Sequence, residues 1–195
     1  MSIYGDPITL GGGSAPTPEP GLPAGYAEVE YLVCSGAEWI NTDLPVYMGD
    51  ILTFTAKTTS SSSQTIVGNR ESASTRWDAG YENGAYYAMN ACAKIWSNVT
   101  DGVWKAALVV TSATSTGFCY GAYKYSTRAP FYGRLHTLRV YRPVGADMDR
   151  LDYSLVARFI PCRRTADSVL GFYDAVNEVF YTNAGGGAFT AGPDV

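Results

Sequence analysis

The stretch that decides the fold of this chain lies near its C-terminus. Residues 155 to 189 read Leu155-Val-Ala-Arg-Phe-Ile-Pro-Cys-Arg-Arg-Thr-Ala-Asp-Ser-Val-Leu-Gly-Phe-Tyr-Asp-Ala-Val-Asn-Glu-Val-Phe-Tyr-Thr-Asn-Ala-Gly-Gly-Gly-Ala-Phe189. Runs rich in β-branched and aromatic residues alternate here with Gly, Asn and Asp, which is typical of short strands joined by turns. Pro161 cannot donate a ladder hydrogen bond, so we expect it to end a strand or to lie on a sheet edge. Asp174 and Asn177 flank a turn, where their side chains can bond the nearby backbone.

The same β signals continue upstream from this stretch. One face of the first window is expected to carry Ala27, Val29, Tyr31 and Val33, because side chains alternate along a strand. Strands of this length, separated by Gly, Ser, Asn and Pro, indicate an antiparallel sandwich or barrel. The predicted strand windows are Tyr26–Val33, Glu38–Thr42, Ile51–Ala56 (Leu52, Phe54 and Ala56 together on one side), Gln64–Val67, Trp104–Val110 (Trp104, Ala106, Leu108 and Val110 on one side) and Arg134–Arg142.

Bulk composition limits the classes of function. The chain has 195 residues, 46% apolar and 16% charged, with 15 tyrosines, a single histidine and a net charge of −4. No basic stripe exists to neutralise phosphates, so we expect no nucleic-acid partner. The local basic cluster of Arg158, Arg163 and Arg164 is interpreted as solvated sheet edge. No apolar run is long enough to span a bilayer as a helix, so we expect no membrane insertion.

The cysteines and the histidine do not predict a metal site. Cys34, Cys92, Cys119 and Cys162 are widely separated in sequence, and His136 cannot complete a usual zinc ligand set. A domain of this size does not need disulfides, so we expect buried or half-buried thiols. We also expect no metal and no cofactor.

The first 25 residues differ from the rest of the chain. They hold five of the ten prolines and six of the 21 glycines, and they contain no Lys or Arg. We therefore expect no secretory signal here. We divide the chain into an extended anchoring arm, residues 1–25, and a β-domain, residues 26–195. The apolar tip of the arm, Ile3, Tyr4, Ile8 and Leu10, is predicted to attach it to a particle; a crystal contact or packing on its own domain is the alternative.

Three segments together resemble concanavalin A-like, laminin-G-like jelly-roll modules of phage tail or fibre proteins and of surface proteins of gut bacteria. They are Gly36-Ala-Glu-Trp-Ile-Asn-Thr42, Tyr132-Gly-Arg-Leu-His-Thr-Leu-Arg-Val-Tyr141 and the C-terminal stretch quoted above. The resemblance covers about residues 22–193. It implies two stacked antiparallel sheets, with a concave face and rim loops where relatives bind glycans.

Carbohydrate binding needs aromatic faces for sugar C–H surfaces, together with carboxylates and amides for the hydroxyls. The segment Arg76–Asn90 concentrates these residue types, and a second loop at residues 120–128 carries three tyrosines. The alternative for the first segment is that Trp77, Tyr86 and Trp96 fill the core and that Asn83-Gly84 forms a hairpin turn. For the second, it is that the tyrosines pack over a sheet edge. The candidate carbohydrate-binding residues are Trp77, Asp78, Tyr81, Asn83, Tyr87, Asn90, Tyr123 and Tyr125.

Catalysis has little support in the sequence. Retaining glucanases of the resembled fold carry Glu, Asp and Glu at alternating positions of one strand. Glu28 and Glu30 are two residues apart, but no third carboxylate follows them, so we interpret them as a solvent face. No nucleophile elbow and no phosphate loop is present.

The sequence therefore predicts a non-enzymatic surface protein of a phage particle that binds host glycans. It would contact other virion proteins through its arm and is expected to form a homo-oligomer, since many weak sites gain avidity together. One alternative is a structural decoration or fibre protein without a ligand. Another is a glycan-binding module on a bacterial cell surface.

Overall fold

The computed structural model describes residues 18–70, 76–82, 85–98, 103–112, 116–122, 130–144 and 152–195. Within these ranges all regular structure is β, and no helix is present. Accordingly, the described part holds no helix of the length and apolarity that crossing a membrane would require. The strands are β1 Tyr26–Glu28, β2 Leu32–Ser35, β3 Ile40–Pro45, β4 Ile51–Thr58, β5 Gln64–Arg70, β6 Arg76–Glu82, β7 Ala85–Met89, β8 Ala91–Asn98, β9 Val103–Val110, β10 Gly117–Tyr120, β11 Tyr132–Val144, β12 Asp152–Arg164, β13 Leu170–Asp174, β14 Val179–Thr182 and β15 Thr190–Ala191.

The strands form two antiparallel sheets. The larger has ten described strands, and its main path runs β14-β13-β12-β11-β4-β9-β8. Strands β1, β2 and β15 attach beside this path: β1 pairs with β12, and β2 pairs with both β11 and β15. The smaller sheet has five described strands in the order β3-β10-β5-β6-β7. The expected all-β, two-sheet antiparallel architecture is confirmed, and it is not a closed barrel.

The core lies between the two sheets and is rich in aromatic rings. Phe118 of the smaller sheet meets Phe159 of the larger one with ring centroids 5.8 Å apart. Tyr120 likewise contacts Phe172 at 5.3 Å, and its hydroxyl donates to the backbone oxygen of His136 over 3.1 Å. Burial of such rings supplies most of the stabilisation of this kind of fold. The residues predicted to share a face, Leu52, Phe54 and Ala56 on β4 and Ala106, Leu108 and Val110 on β9, are all buried in the core; the side chain of Trp104 lies outside the described part.

The first predicted strand is divided, which corrects the expected buried face. Val29 is buried, but beyond it Leu32 and Cys34 point inward, while Tyr31 and Val33 are only partly buried. The chain changes neighbours at this point, because β1 pairs with β12 whereas β2 pairs with β11. The alternation of inward and outward side chains restarts where the chain leaves β12 and joins β11. It therefore cannot continue unbroken from Ala27 to Val33.

Pro161 lies inside the long central strand β12, contrary to the expectation of a strand end or an edge. Its partner on β13 is Phe172, and its carbonyl accepts a hydrogen bond from Val29 over 3.0 Å. On this side of β12, pairing with β11 ends at Phe159 and pairing with β1 begins at Cys162. Pro161 therefore lies where the ladder on this side of β12 passes from β11 to β1, an irregular position at which a residue without an N–H is tolerated.

Two of the segments that carry the family resemblance contact each other at one end of the fold. The Glu38 carboxylate is buried and accepts hydrogen bonds from the Ser35 N–H at 2.6 Å and the Ala37 N–H at 3.2 Å. The Asn183 side chain then accepts a bond from the Trp39 N–H at 3.1 Å. These bonds hold the turn before β3 against the turn that follows β14.

Three cysteines are buried, as expected. They are Cys34, Cys119 and Cys162. Burial raises the pKa of Cys162 to about 12, and it also raises the pKa of Cys34, so both remain protonated at neutral pH. The side chain of Cys92 lies outside the described part.

Candidate functional site

The outward face of the smaller sheet is where two of the sequence-predicted residues come together. Along β6, Trp77 and Ala79 point into the core, so Asp78 and Gly80 point outward. Tyr87 of β7 is directly opposite Gly80 and shares the outward face. A Cβ atom on Gly80 would lie 2.8 Å from the Tyr87 hydroxyl oxygen, so glycine allows the tyrosine ring to lie across β6.

Polar partners fix the position of the Tyr87 ring. Its hydroxyl lies 3.2 Å from the Thr65 hydroxyl on β5 and forms a side-chain hydrogen bond with Asp78. Burial, followed by the charge of Asp78, raises the pKa of Tyr87 well above its ordinary value. The phenol is therefore protonated at neutral pH and donates to the carboxylate, while it can accept from Thr65.

A continuous row of outward residues crosses all five strands of the smaller sheet. Register pairs connect Met89 to Asp78, Asp78 to Gly68, Gly68 to Cys119 and Cys119 to Asn41. We call these five residues the outer row. A Cβ atom on Gly68 would lie 2.5 Å from the Asp78 Cβ, so glycine leaves space for the Asp78 side chain. Cys119 also donates to the Asn41 side-chain oxygen over 3.6 Å.

The outer row and the Tyr87 ring together form a mixed surface. Asn41 and Met89, at the two ends of the row, are exposed, whereas Gly68 is buried and Asp78 and Cys119 are only 8% and 1% exposed. The surface combines a carboxylate, an amide and an aromatic ring, which are groups that can hold hydroxyls and pack on C–H faces. Among the described residues no group of three or more His, Cys, Asp or Glu is arranged to hold a metal ion.

Trp77 and Tyr81 are not on this surface, which corrects their expected outward position. Trp77 is 0% exposed and contacts Phe118 in the core at 5.8 Å between ring centroids. Tyr81 also points inward and packs against the core and against Tyr86, 4.9 Å away. Alternation along β6 places both rings on the face opposite Asp78. A sugar therefore has no access to the Trp77 ring, and the alternative that Trp77 and Tyr86 contribute to the core is confirmed.

Asn90 has a structural role at the point where the chain passes from one sheet to the other. It connects β7 to β8 with a φ of 51°, and its side-chain nitrogen donates to the Arg76 carbonyl over 2.8 Å. Its carbonyl accepts from Thr111 over 3.1 Å. Asparagine tolerates this left-handed conformation better than most residues. The remaining predicted site residues, Asn83, Tyr123, Tyr125, Ile3, Tyr4, Ile8 and Leu10, lie outside the described residues.

Sequence reasoning did not identify Asn41, Thr65 or Cys119 as part of this surface. They lie on β3, β5 and β10, far apart along the chain, and only the sheet register brings them beside Asp78 and Tyr87. The predicted window Gln64–Val67 ends before Gly68, although β5 continues to Arg70. Gly68 and Gly80, which leave space for Asp78 and Tyr87, are the sequence signal for this surface. Their pairing partners, however, cannot be read from the sequence.

No protein-family model, no curated protein and no solved structure matches this chain. The structure alone therefore places it as an all-β chain of two antiparallel sheets packed in a sandwich-like arrangement.

Proposed function

We propose that this protein is a non-enzymatic carbohydrate-recognition module with a concanavalin A-like jelly-roll fold, displayed on the surface of a phage particle. Its N-terminal arm would attach it to other virion proteins, and the outer row would face host glycans. The observation that carries the proposal is the Tyr87 ring, held across Gly80 by Thr65 and Asp78 on an outward sheet face.

The chemistry of this surface suits a neutral sugar. The Asp78 carboxylate and the Asn41 amide can hold hydroxyl groups, while Tyr87 and Met89 offer apolar contacts for the C–H face of a ring. The Tyr87 ring is already fixed by two hydrogen-bonding neighbours, so little conformational entropy is lost when a ligand binds. Single-site affinity near millimolar, about −4 kcal/mol, would be sufficient if many copies act together.

A glycan array of bacterial polysaccharides probed with the full chain tests the proposal. Tyr87→Ala should abolish binding of any glycan that the wild type recognises, and Asp78→Asn should weaken it about tenfold, the loss expected for one good hydrogen bond. Tyr87→Phe retains the ring but not the hydroxyl, so it separates stacking from hydrogen bonding. Each variant also needs a thermal midpoint to show that it is folded.

Tyr47→Ala is the matched control, because Tyr47 is an exposed tyrosine that is not part of the outer row. Binding that survives Tyr87→Ala but is lost in Tyr47→Ala would move the site elsewhere. An array without any bound glycan would leave recognition unsupported and favour the second candidate.

That second candidate is a structural decoration or fibre protein, and one observation favours it. The turn between β3 and β4 exposes 71% of Met48 and 47% of Tyr47. The turn is rigid, because buried Asp50 accepts bonds from Arg142 at 2.9 and 3.1 Å and from the Tyr47 N–H at 2.9 Å. Exposed apolar residues on a rigid turn are suited to contact with a neighbouring subunit.

Met48→Asp tests the structural alternative. If the turn is a subunit contact, the variant should shift a concentration-dependent oligomer to monomer in light scattering, with its glycan binding per chain unchanged. An oligomeric state that Met48→Asp leaves unaltered would count against this role.

Placement on a bacterial cell surface would preserve the same glycan site and differ only in what holds the arm.

A further inference from the structure

The outward face of the larger sheet carries two arginines in an arrangement that needs an explanation. Arg139 of β11 and Arg158 of β12 are register partners, directly opposite each other on adjacent strands. Both point away from the core, because their neighbours Leu138, Val140, Ala157 and Phe159 are buried. Like charges in such a cross-strand pair repel each other, so an anion placed between them stabilises the arrangement.

The anion is the carboxylate of Glu19, from the segment that precedes β1. Arg139 Nε donates to both Glu19 carboxylate oxygens, at 2.9 and 3.2 Å. Arg158 Nε lies 3.4 Å from one of them, and the Tyr141 hydroxyl lies 3.5 Å from the other. Burial, followed by the charge of Glu19, raises the pKa of Tyr141, so its phenol keeps its proton. Three groups on two adjacent strands therefore converge on one carboxylate.

The contacts extend beyond the side chain of Glu19 to the peptide backbone. Arg158 Nη1 donates to the carbonyl oxygen of Pro20 over 2.7 Å. Farther along, Leu22 packs against a second cluster on the same outward face, with Ile160 and Tyr173. The strands thus contact a glutamate side chain, the carbonyl of the proline that follows it and an apolar residue two positions later. These are the contacts of a groove that recognises an extended peptide.

The two partners differ in how firmly they are held. Arg139, Arg158 and Tyr141 are on long central strands of the larger sheet. Gly21 and Gly25, the latter with a φ of 93°, flank the segment that connects Glu19 and Pro20 to β1. The peptide side can therefore leave by rotation about its glycines, whereas the receptor side cannot rearrange without breaking the sheet. Without the Glu19 carboxylate between them, Arg139 and Arg158 would repel each other.

We propose that Arg139, Arg158 and Tyr141 form a binding site for an extended Glu-Pro peptide, which the Glu19-Pro20 segment of the chain itself occupies and which the same segment of a second copy can occupy instead. The site is on the opposite sheet from the outer row and does not depend on carbohydrate recognition. In an assembly of many copies, arms pulled away from their own domain would find equivalent sites on neighbours, which joins subunits through an acidic peptide.

The test uses the full chain and a fluorescent peptide of residues 14–25, followed by fluorescence anisotropy. In the wild type the tethered Glu19 competes at high effective concentration, so added peptide should bind weakly. Glu19→Gln removes the competing carboxylate and should bind the peptide about tenfold more tightly, the value of one charge-assisted contact. Adding Arg139→Gln to that variant should remove the gain.

Asp194→Asn is the matched control, because Asp194 pairs with Arg163 at 3.2 Å elsewhere on the surface. It lowers the negative charge by the same amount and should leave peptide binding at the wild-type level. A peptide with Gln in place of its Glu should bind the Glu19→Gln protein about tenfold less well. Equal binding of the two peptides, or equal gain in Asp194→Asn, would overturn the proposal. Galacturonate carries a carboxylate but no peptide backbone. If it competes as effectively as the peptide, the site binds any carboxylate and the peptide assignment is overturned.

Discussion

Buried carboxylates close turns in this fold by accepting hydrogen bonds from the backbone. Asp174 is fully buried and accepts from the N–H groups of Arg158, Val176 and Asn177, at 3.1, 3.0 and 3.3 Å. The Asn177 side chain also donates to it over 2.6 Å. The sequence-based expectation is confirmed for Asp174, whose carboxylate bonds the backbone of Val176 and Asn177, whereas the Asn177 side chain donates to Asp174 and to the Val156 carbonyl on β12. It succeeded because a turn motif of this kind involves only residues a few positions apart.

Asp174→Ala should lower the free energy of unfolding by about 2–4 kcal/mol, because the buried N–H groups would lose their acceptor. Urea denaturation followed by tryptophan fluorescence measures this. Asp152→Ala, at an exposed position on β12, is the control and should change stability by less than about 0.5 kcal/mol. Similar small effects for both variants would show that water replaces the lost acceptor at Asp174.

At the scale of single elements, the hairpin of β13 and β14 contains a strained residue. Glu178 precedes β14 with a φ of 58°, in the left-handed region that side chains with a Cβ atom disfavour. It is exposed. Nothing in the sequence predicts this strain, because glutamate has no preference for such a conformation.

Glu178→Gly should therefore stabilise the protein by about 0.5–1 kcal/mol, since glycine adopts positive φ without steric cost. The thermal midpoint and urea denaturation both report it. Glu178→Ala is the matched control: it removes the same charge but keeps the Cβ atom, so it should bring no such gain. If alanine stabilised as much as glycine, the effect would come from the charge and not from the backbone.

The elements also show which parts of the fold were accessible from sequence. Strands β4 and β9 nearly coincide with predicted windows because each has a clear apolar alternation and turn residues at its ends, and β11 contains its predicted window although its register shifts between Leu135 and Leu138. The division between β1 and β2, and the place of Pro161 inside β12, depend on which strand is the neighbour. Outward Asp78 and inward Trp77 were grouped as one site for the same reason: neither periodicity nor composition shows which face of β6 is covered by the other sheet.

At the scale of the whole molecule, the chain has a single histidine, so one substitution measures the histidine contribution to the pH dependence of stability. Burial lowers the pKa of His136 below 6.5, and Glu30 only partly opposes this shift. Its ring faces Tyr31, whose ring also lies 4.5 Å from the Arg134 guanidinium carbon. A group with a lowered pKa in the folded state binds fewer protons than in the unfolded state. Its contribution is therefore complete above about pH 6.5 and is lost as the pH falls through the folded value.

Wild-type protein should accordingly lose stability between about pH 7 and 5 more steeply than His136→Gln, which cannot titrate. Denaturation midpoints at half-unit pH intervals measure the two slopes. His136→Gln keeps a polar side chain of similar size but cannot titrate, so the difference between the two slopes reports on the imidazole. Identical slopes would indicate that His136 has the same pKa in the folded and unfolded states.

The insertion of the first two strands beside β11 and β12 has a consequence for synthesis. Val29 forms a bridge with Asp194, and β2 pairs with both β11 and β15. A nascent chain emerges from the ribosome N-terminus first, so β1 and β2 must wait until β11, β12 and β15 have been synthesised before their partners exist. Contacts that close such long loops slow folding. During that delay the early strands have unpaired edges, and a chaperone that shields them should raise the yield of native protein.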